Sequence, residues 1–462
     1  MDLRVPLVAL LAASVALAGC TSDDDGGDAQ PLLFLDEGLN TSHPAFDFGV
    51  TGALPEAVDG VGRMVMDDGT VAWYNPVHAG LPSPIAGLEE LTAVPEADTA
   101  GGIAVFGPLA FLGGRSSGPL YVVDIVDPAN PQIAGIAPDV PVRDADTILF
   151  PDGRLVVITT AGGLEIFATD VTDPANPFLI GSFTTSGSNH NIAVVPGTPI
   201  VYNSGMDIVD FSDPAKPVEL GSFPSEANRG CHDITFYLDR ADDKYRAYCA
   251  GYEYTQIWDI ADPAAPELVS EVPFPRIPEM TGTEGVVPSN EQTGLPATFS
   301  HLALVNHDAS VLIVGDETGG GALNGCDFYT GLGGMANSGP LGNLWFYDLA
   351  DETAPELRGR LSPSFTDALG APSIPNPDAL PFSALDALQS CTAHFGRVIE
   401  DTDFLVMGFY AAGVLLVDFS DLDTPVITDR LDQNGSIWDV QVHQGYLFTG
   451  DMVRGMDVLK LA

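Results

Sequence analysis

Eight histidines stand in this chain, and four of them fall in strings that resemble one another. These are SNHNIAVV with His190, GCHDITFY with His232, FSHLALVN with His301 and TAHFGRVI with His394. Each ring sits at the entrance of an apolar, β-branched run, the composition of a strand. Neutral imidazole is the commonest protein ligand for Cu, Fe and Zn, and nearby carboxylates orient it by hydrogen bonding. If the fold brings these positions together, the four rings are candidate metal ligands. Asp233, beside His232, and Glu317, in GDETGG, are then candidate orienting groups or additional ligands. A structural role competes, because a histidine at such a place can hydrogen-bond the backbone of a neighbouring strand. Asp144 or Asp146 in RDADTILF and Asp439 in SIWDVQV hold the matching place in two further strings.

A repeat supplies the elements that would position these residues. One phrase recurs: YVVDIVDPANPQIAG from 121, FATDVTDPANPFLIG from 167, DIVDFSDPAKPVELG from 207, QIWDIADPAAPELVS from 256, WFYDLADETAPELRG from 345 and LLVDFSDLDTPVITD from 415. In each copy an apolar strand ends in Asp, a proline-bearing turn follows, and a second apolar strand leaves it. Paired prolines and aspartates cannot continue a ladder, so they fix a tight corner. Two more short strands precede each copy, and units of four strands about 40 residues apart predict the blades of a β-propeller. Residues 275–298, 319–343 and 362–390 are rich in Gly, Pro and Ser and lack strand periodicity, so they read as long loops. The last segment, 436–462, holds three strands and no fourth, which would leave an open edge. An N-terminal strand, GRMVMDD (62–68) or TVAWYN (70–75), is expected to complete it, giving an all-β, seven-bladed propeller of four-stranded antiparallel blades. In a closed ring the histidine positions, at the start of each innermost strand, converge on the central channel.

The copies resemble the LVIVD repeat, found in exported bacterial and archaeal propeller proteins, and the resemblance covers roughly residues 100–462. The strings CHDITF, TQIWDIADP, SHLALVNHD, GDETGGG, CTAHF and FYAAGVLLVDFSD sharpen it. It implies the propeller fold and an exported binding module, and it leaves the biochemical activity open. Inner strands of such repeats often begin with His-Asp, which suits the structural role for the rings. Four histidines from four blades also resemble the iron site of carotenoid-cleaving oxygenases and the copper-binding channel histidines of selenium-binding methanethiol oxidases. The motifs of those two families are not in this chain.

Residues 1–19 read as a lipoprotein signal peptide: an apolar run follows Arg4 and ends in LAGC, a string that resembles a lipobox. Cleavage there would leave Cys20 as the lipidated N-terminus. An acidic, flexible tether spans 20–31, an N-terminal segment carrying the closing strand spans 32–98, and the propeller spans 99–462. The expected location is an outer membrane, facing the periplasm, or the cell surface. Four cysteines remain, which in an oxidising compartment predicts two disulfides, Cys231 with Cys249 and Cys326 with Cys391. Thiolate ligation of a metal by Cys231 or Cys391 is the rival reading.

With 64 acids against 17 bases the net charge is −47, which repels phosphate and excludes nucleic acid as a partner. The membrane is touched through the lipid alone, and a monomer is expected. Three functions fit: a module binding a protein or polysaccharide, a metal-dependent oxidase or oxygenase, and a Ca²⁺-dependent hydrolase or lactonase. For the last, DRADDKY (239–245) and DTDF (401–404) gather carboxylates in turns without the full spacing of a calcium loop.

Overall fold

The computed structural model describes residues 84–462 except 98–99, 115–117, 151–153, 225–229, 240–243, 252, 276–298, 318–342, 362–391, 400–401 and 433–434. It also describes the backbone of four short strands before residue 84. The leader, Cys20, the tether, Cys326 and Cys391 lie outside the described residues, as do most of the three long inserts.

Seven antiparallel four-stranded sheets form the blades. Blade 1 runs Ala100–Phe106, Leu109–Gly114, Leu120–Asp124, Gln132–Ala137, and blade 2 runs Asp144–Leu149, Leu155–Thr160, Glu165–Asp170, Phe178–Thr184. Blade 3 is Ile192–Val194, Ile200–Asn203, Asp207–Asp210, Val218–Ser222, and blade 4 is Asp233–Asp239, Lys244–Gly251, Tyr254–Asp259, Glu267–Pro273. Blade 5 is Phe299–Val305, Val311–Glu317, Leu344–Asp348, Glu356–Leu361, and blade 6 is Gly396–Ile399, Phe404–Gly408, Val414–Asp418, Val426–Leu431. The first strand of each blade packs against the first strand of the next, and blade 7 meets blade 1, so the ring closes.

Blade 7 is Ile437–His443, Tyr446–Asp451, Gly455–Leu461, completed from the N-terminal side by Leu88–Val94. Closure by an N-terminal strand is as expected, but the strand is neither of the two the sequence suggested. Those two, Val61–Val65 and Val71–Tyr74, pair with each other in a separate small sheet with Leu33–Leu35 and Glu56–Val58. LEELTAV carries two glutamates and only two β-branched residues in seven, a weak strand composition. Its selection is positional: it lies only a short link away from blade 1, so it meets the open edge of blade 7 with almost no loop to order.

The repeated phrase has a physical explanation in every copy. The aspartate that ends the third strand accepts a hydrogen bond from the backbone N–H two residues on: Asp124 from Val126 (2.9 Å), Asp170 from Thr172 (2.8 Å), Asp210 from Ser212 (2.7 Å). Asp259, Asp348 and Asp418 do the same at 2.8–2.9 Å. The aspartate three residues later repeats the device, as Asp127 with Ala129 and Asp262 with Ala264. Two such turns in series reverse the chain without a ladder. Part of the acid excess therefore folds corners. Hydrophobic clusters fill the clefts between neighbouring blades; one joins Ile148, Val156 and Ile158 of blade 2 to Ile192, Val201 and Phe211 of blade 3.

The glycine closing several copies is also explained. In the outermost strand, a Cβ on Gly135 would lie 2.1 Å from the carbonyl oxygen of Pro174, in the turn of the next blade. Gly359 meets the Leu422 carbonyl in the same way, at 1.9 Å. Backbone cannot retreat as a side chain can. Replacing Gly135 by alanine is therefore expected to cost about 1–3 kcal/mol, seen as a lower thermal midpoint, whereas alanine at Gly163, which has open space, should be near neutral.

Candidate metal centre

Aligning the innermost strands places one residue of each blade on the channel axis, just before or within the strand start. Around the ring these are Gly101, Arg143, His190, His232, His301, His394 and Trp438. The six side chains touch in order. Arg143 Nη2 donates to His190 Nε2 at 2.6 Å. Ring centroids then follow at 4.5 Å (His190–His232), 4.0 Å (His232–His301), 4.4 Å (His301–His394) and 4.1 Å (His394–Trp438). The guanidinium of Arg143 lies 4.9 Å from the Trp438 ring centre, which closes the circuit across the glycine of blade 1.

Local backbone chemistry sets these directions. His301 and Trp438 each sit where the pairing of the two inner strands slips by one residue, between Ser300 and Leu302 and between Ile437 and Asp439. A bulge re-aims a side chain that strict alternation would send elsewhere. At His232 the N–H bonds the Ala250 carbonyl at 2.6 Å, and a Cys231–Cys249 disulfide with Cα atoms 5.5 Å apart ties that strand to its neighbour. With Cys231 held in this bond, thiolate ligation there gives way to a structural cross-link.

The four histidines divide by what their nitrogens do. His190 accepts from Arg143. Asn191 lies 3.3 Å from Nδ1 of His232, and His232 also hydrogen-bonds the backbone of His301. Burial, reinforced by the charge of Arg143, drives the His232 pKa down to about 3. His301 is 1% exposed and neither of its nitrogens has a hydrogen-bond partner among the described residues, an expensive state for a buried ring. Burial, then the neighbouring histidines, push its pKa well below the usual value, so it is neutral. His394 places Nδ1 2.6 Å from the Trp438 carbonyl. A carbonyl only accepts, so Nδ1 carries the proton and Nε2 is the ligand nitrogen.

Glu317, from the second strand of blade 5, completes the group. Its Oε2 lies 3.5 Å from His301 Nε2 and its Oε1 lies 3.9 Å from His394 Nε2, while the hydroxyl of Tyr410 donates to Oε1. Glu317 is 3% exposed. Among the described residues, His301, Glu317 and His394 are the set whose donor atoms lie close enough for one ion. Donors about 2.1 Å from a tetrahedral ion stand about 3.4 Å apart, close to the two spacings from Glu317; all three donor atoms lie within 4.8 Å of one another. Two imidazoles and one carboxylate, leaving coordination positions open, suit Fe, Zn or Cu better than Ca²⁺, which takes oxygen ligands. Tyr410 holds φ at 46°, a conformation that a non-glycine residue adopts only when its surroundings impose it. Here Tyr410 is locked by paired backbone bonds to Ile437 and delivers its hydroxyl to Glu317.

Asp233 lies outside this group. It belongs to a lower tier with Asp144 and Asp439, whose carboxylates accept from the next blade: Asp144 from Ile192 N–H (2.9 Å) and Asp439 from Ile103 N–H (3.2 Å). Burial, then Asp144, raises the Asp233 pKa to about 8, against the pull of Arg397. Arg143, Trp438 and Tyr410 had no place in the sequence reading. For the first two, the signal was the residue before the aspartate in RDAD and IWDV, where other blades carry histidine. Of the calcium-loop candidates, residues 240–243 and 401 lie outside the described residues.

The fold and site define a seven-bladed propeller with a closed ring of channel side chains. The LVIVD repeat model matches residues 98–138 and 200–224, so blades 1 and 3 carry LVIVD repeats. No curated protein matches the chain. Among solved structures it is similar to Saccharomyces cerevisiae Sqt1, with 10% identity, 79% of this chain and 82% of that chain covered, and a TM-score of 0.44. It is also similar to the RRP9 WD40 repeats, with 12% identity, 83% and 99% covered, and a TM-score of 0.47.

Proposed function

We propose that this propeller is a metal-dependent enzyme that holds one divalent transition metal ion on His301, His394 and Glu317. The observation that carries it is a buried imidazole, His301, with neither nitrogen hydrogen-bonded among the described residues and a carboxylate 3.5 Å away. A structural histidine would spend its nitrogens on backbone, as His232 does. Open positions on such an ion bind and polarise a substrate oxygen or activate O₂ or water. The body is held outside the cytoplasm by a lipid on Cys20; the LAGC string and the Cys231–Cys249 disulfide support that placement.

Protein purified without chelator is expected to contain about one transition metal ion per chain by elemental mass spectrometry. The His301→Ala/His394→Ala double variant, folded by circular dichroism, should contain none. Equal metal content in the two would remove the proposal's basis.

A second reading rests on the outer rim. The first residue of the outermost strand is apolar and exposed in blades 2, 3 and 6: Phe178 (58%), Val218 (57%) and Val426 (50%). A repeated apolar edge of this kind suits docking of a protein or polysaccharide, and an interaction role is compatible with a metal site in the channel.

A further inference from the structure

The ring around the channel is chemically lopsided. Trp438 has no charge, and Gly101 contributes no side chain. Arg143 is the ring's single fixed cation and is 8% exposed. Its head group is placed with care. Nη2 is anchored on His190, and the guanidinium faces the indole of Trp438, which on its other flank touches His394. Gly162 makes the approach possible, since a Cβ there would lie 2.8 Å from Arg143 Cδ.

From this juxtaposition, and resting on the metal reading above, we propose that Arg143 binds the carboxylate of a small organic acid, which lies across Trp438 with its reacting end at the His301–Glu317–His394 centre. The chemistry follows from the parts. A guanidinium is a planar fork of donors that matches a carboxylate bidentately, and desolvation makes that pair stronger than in water. Aromatic rings adjoin the centre: Trp438 and Phe395 both contact His394, and Phe299 and Phe395 both contact His301. They suit an apolar body between a charged end and a reacting end. The overall charge of −47 would repel such an acid, so one buried cation at the binding point gives the channel its selectivity.

The test titrates benzoate and benzyl alcohol by calorimetry into wild type, Arg143→Leu and Arg143→Lys, each metal-free and Co²⁺-loaded. Circular dichroism and thermal midpoints establish that each variant is folded. The expected result is benzoate affinity at least about tenfold weaker in Arg143→Leu, with a smaller loss in Arg143→Lys, which keeps the charge but not the fork. Benzyl alcohol should not distinguish the three proteins. Benzoate binding wild type and Arg143→Leu alike, or failing to bind wild type, overturns the proposal. Failure of Co²⁺ to load would instead sink the metal reading, and the metal-free titrations would still decide whether Arg143 binds carboxylates.

Discussion

Replacing Glu317 by glutamine is expected to stabilise the metal-free protein and to abolish the stabilisation that added metal gives wild type. The two signs come from one fact. Glu317 is 3% exposed, and its partners include a phenol and two imidazoles. A buried carboxylate bears a desolvation cost that a bound cation would help repay. Glutamine fills the same volume and still accepts from Tyr410, so the cost disappears while the hydrogen bond survives. A gain of about 1–3 kcal/mol in the metal-free form is the expected scale. On the metal side, orienting groups alone are worth 10–100-fold in affinity, and a direct donor is worth at least as much, on the order of a hundredfold or more. That corresponds to about 2.7 kcal/mol of metal-linked stability at fixed metal concentration. Thermal midpoints with and without added Zn²⁺ measure both. A variant less stable than wild type without metal, or one still raised by Zn²⁺ as wild type is, would show that Glu317 is an ordinary structural acid.

The fold was legible because its signal is repeated. The Asp-turn-Pro phrase recurs with a period that only stacked units explain, and each copy makes the same two aspartate turns. The closing strand was misread because Leu88–Val94 has a weak strand composition and is chosen by proximity to blade 1. The site was half legible. Histidine marks itself, so His190, His232, His301 and His394 were found, and the structure sets them in ring contact. Which of them are satisfied by neighbours was not readable, because the partners are a backbone carbonyl of the next blade, an asparagine and an arginine, all set by docking between blades. Arg143 and Trp438 were missed because a search by residue type passes over a ring defined by position. Tyr410 holds a positive φ, pairs with Ile437 and donates to Glu317, and no local pattern encodes that combination.

The lower tier supplies the other large effect, and it is one of pH. With a folded pKa of about 8 against an ordinary value of 3.8, Asp233 takes up its proton in the folded state long before the unfolded chain does. Its stabilising contribution is therefore complete below about pH 4 and is lost as pH rises through 8. Asp144, raised to about 7 by burial, acts in the same direction. His232 acts in the opposite one: with a folded pKa of about 3, the unfolded chain binds the proton first, so stability falls as pH drops from 6.5 towards 3. The two tiers thus bracket a stability maximum between them. Asn at 233 keeps the shape and carries no charge, so Asp233→Asn should exceed wild type in thermal midpoint at pH 8.5. Because Asp233 is only partly buried, the gain is on the order of 1–3 kcal/mol rather than the full shift, and it should vanish near pH 4. Metal-free protein scanned at one rate across that range reads it directly, and a difference that does not change with pH would mean that the Asp233 carboxyl is ionised alike in the folded and unfolded chain. If the difference grows as predicted, Asp233 carries its proton in the folded protein at neutral pH.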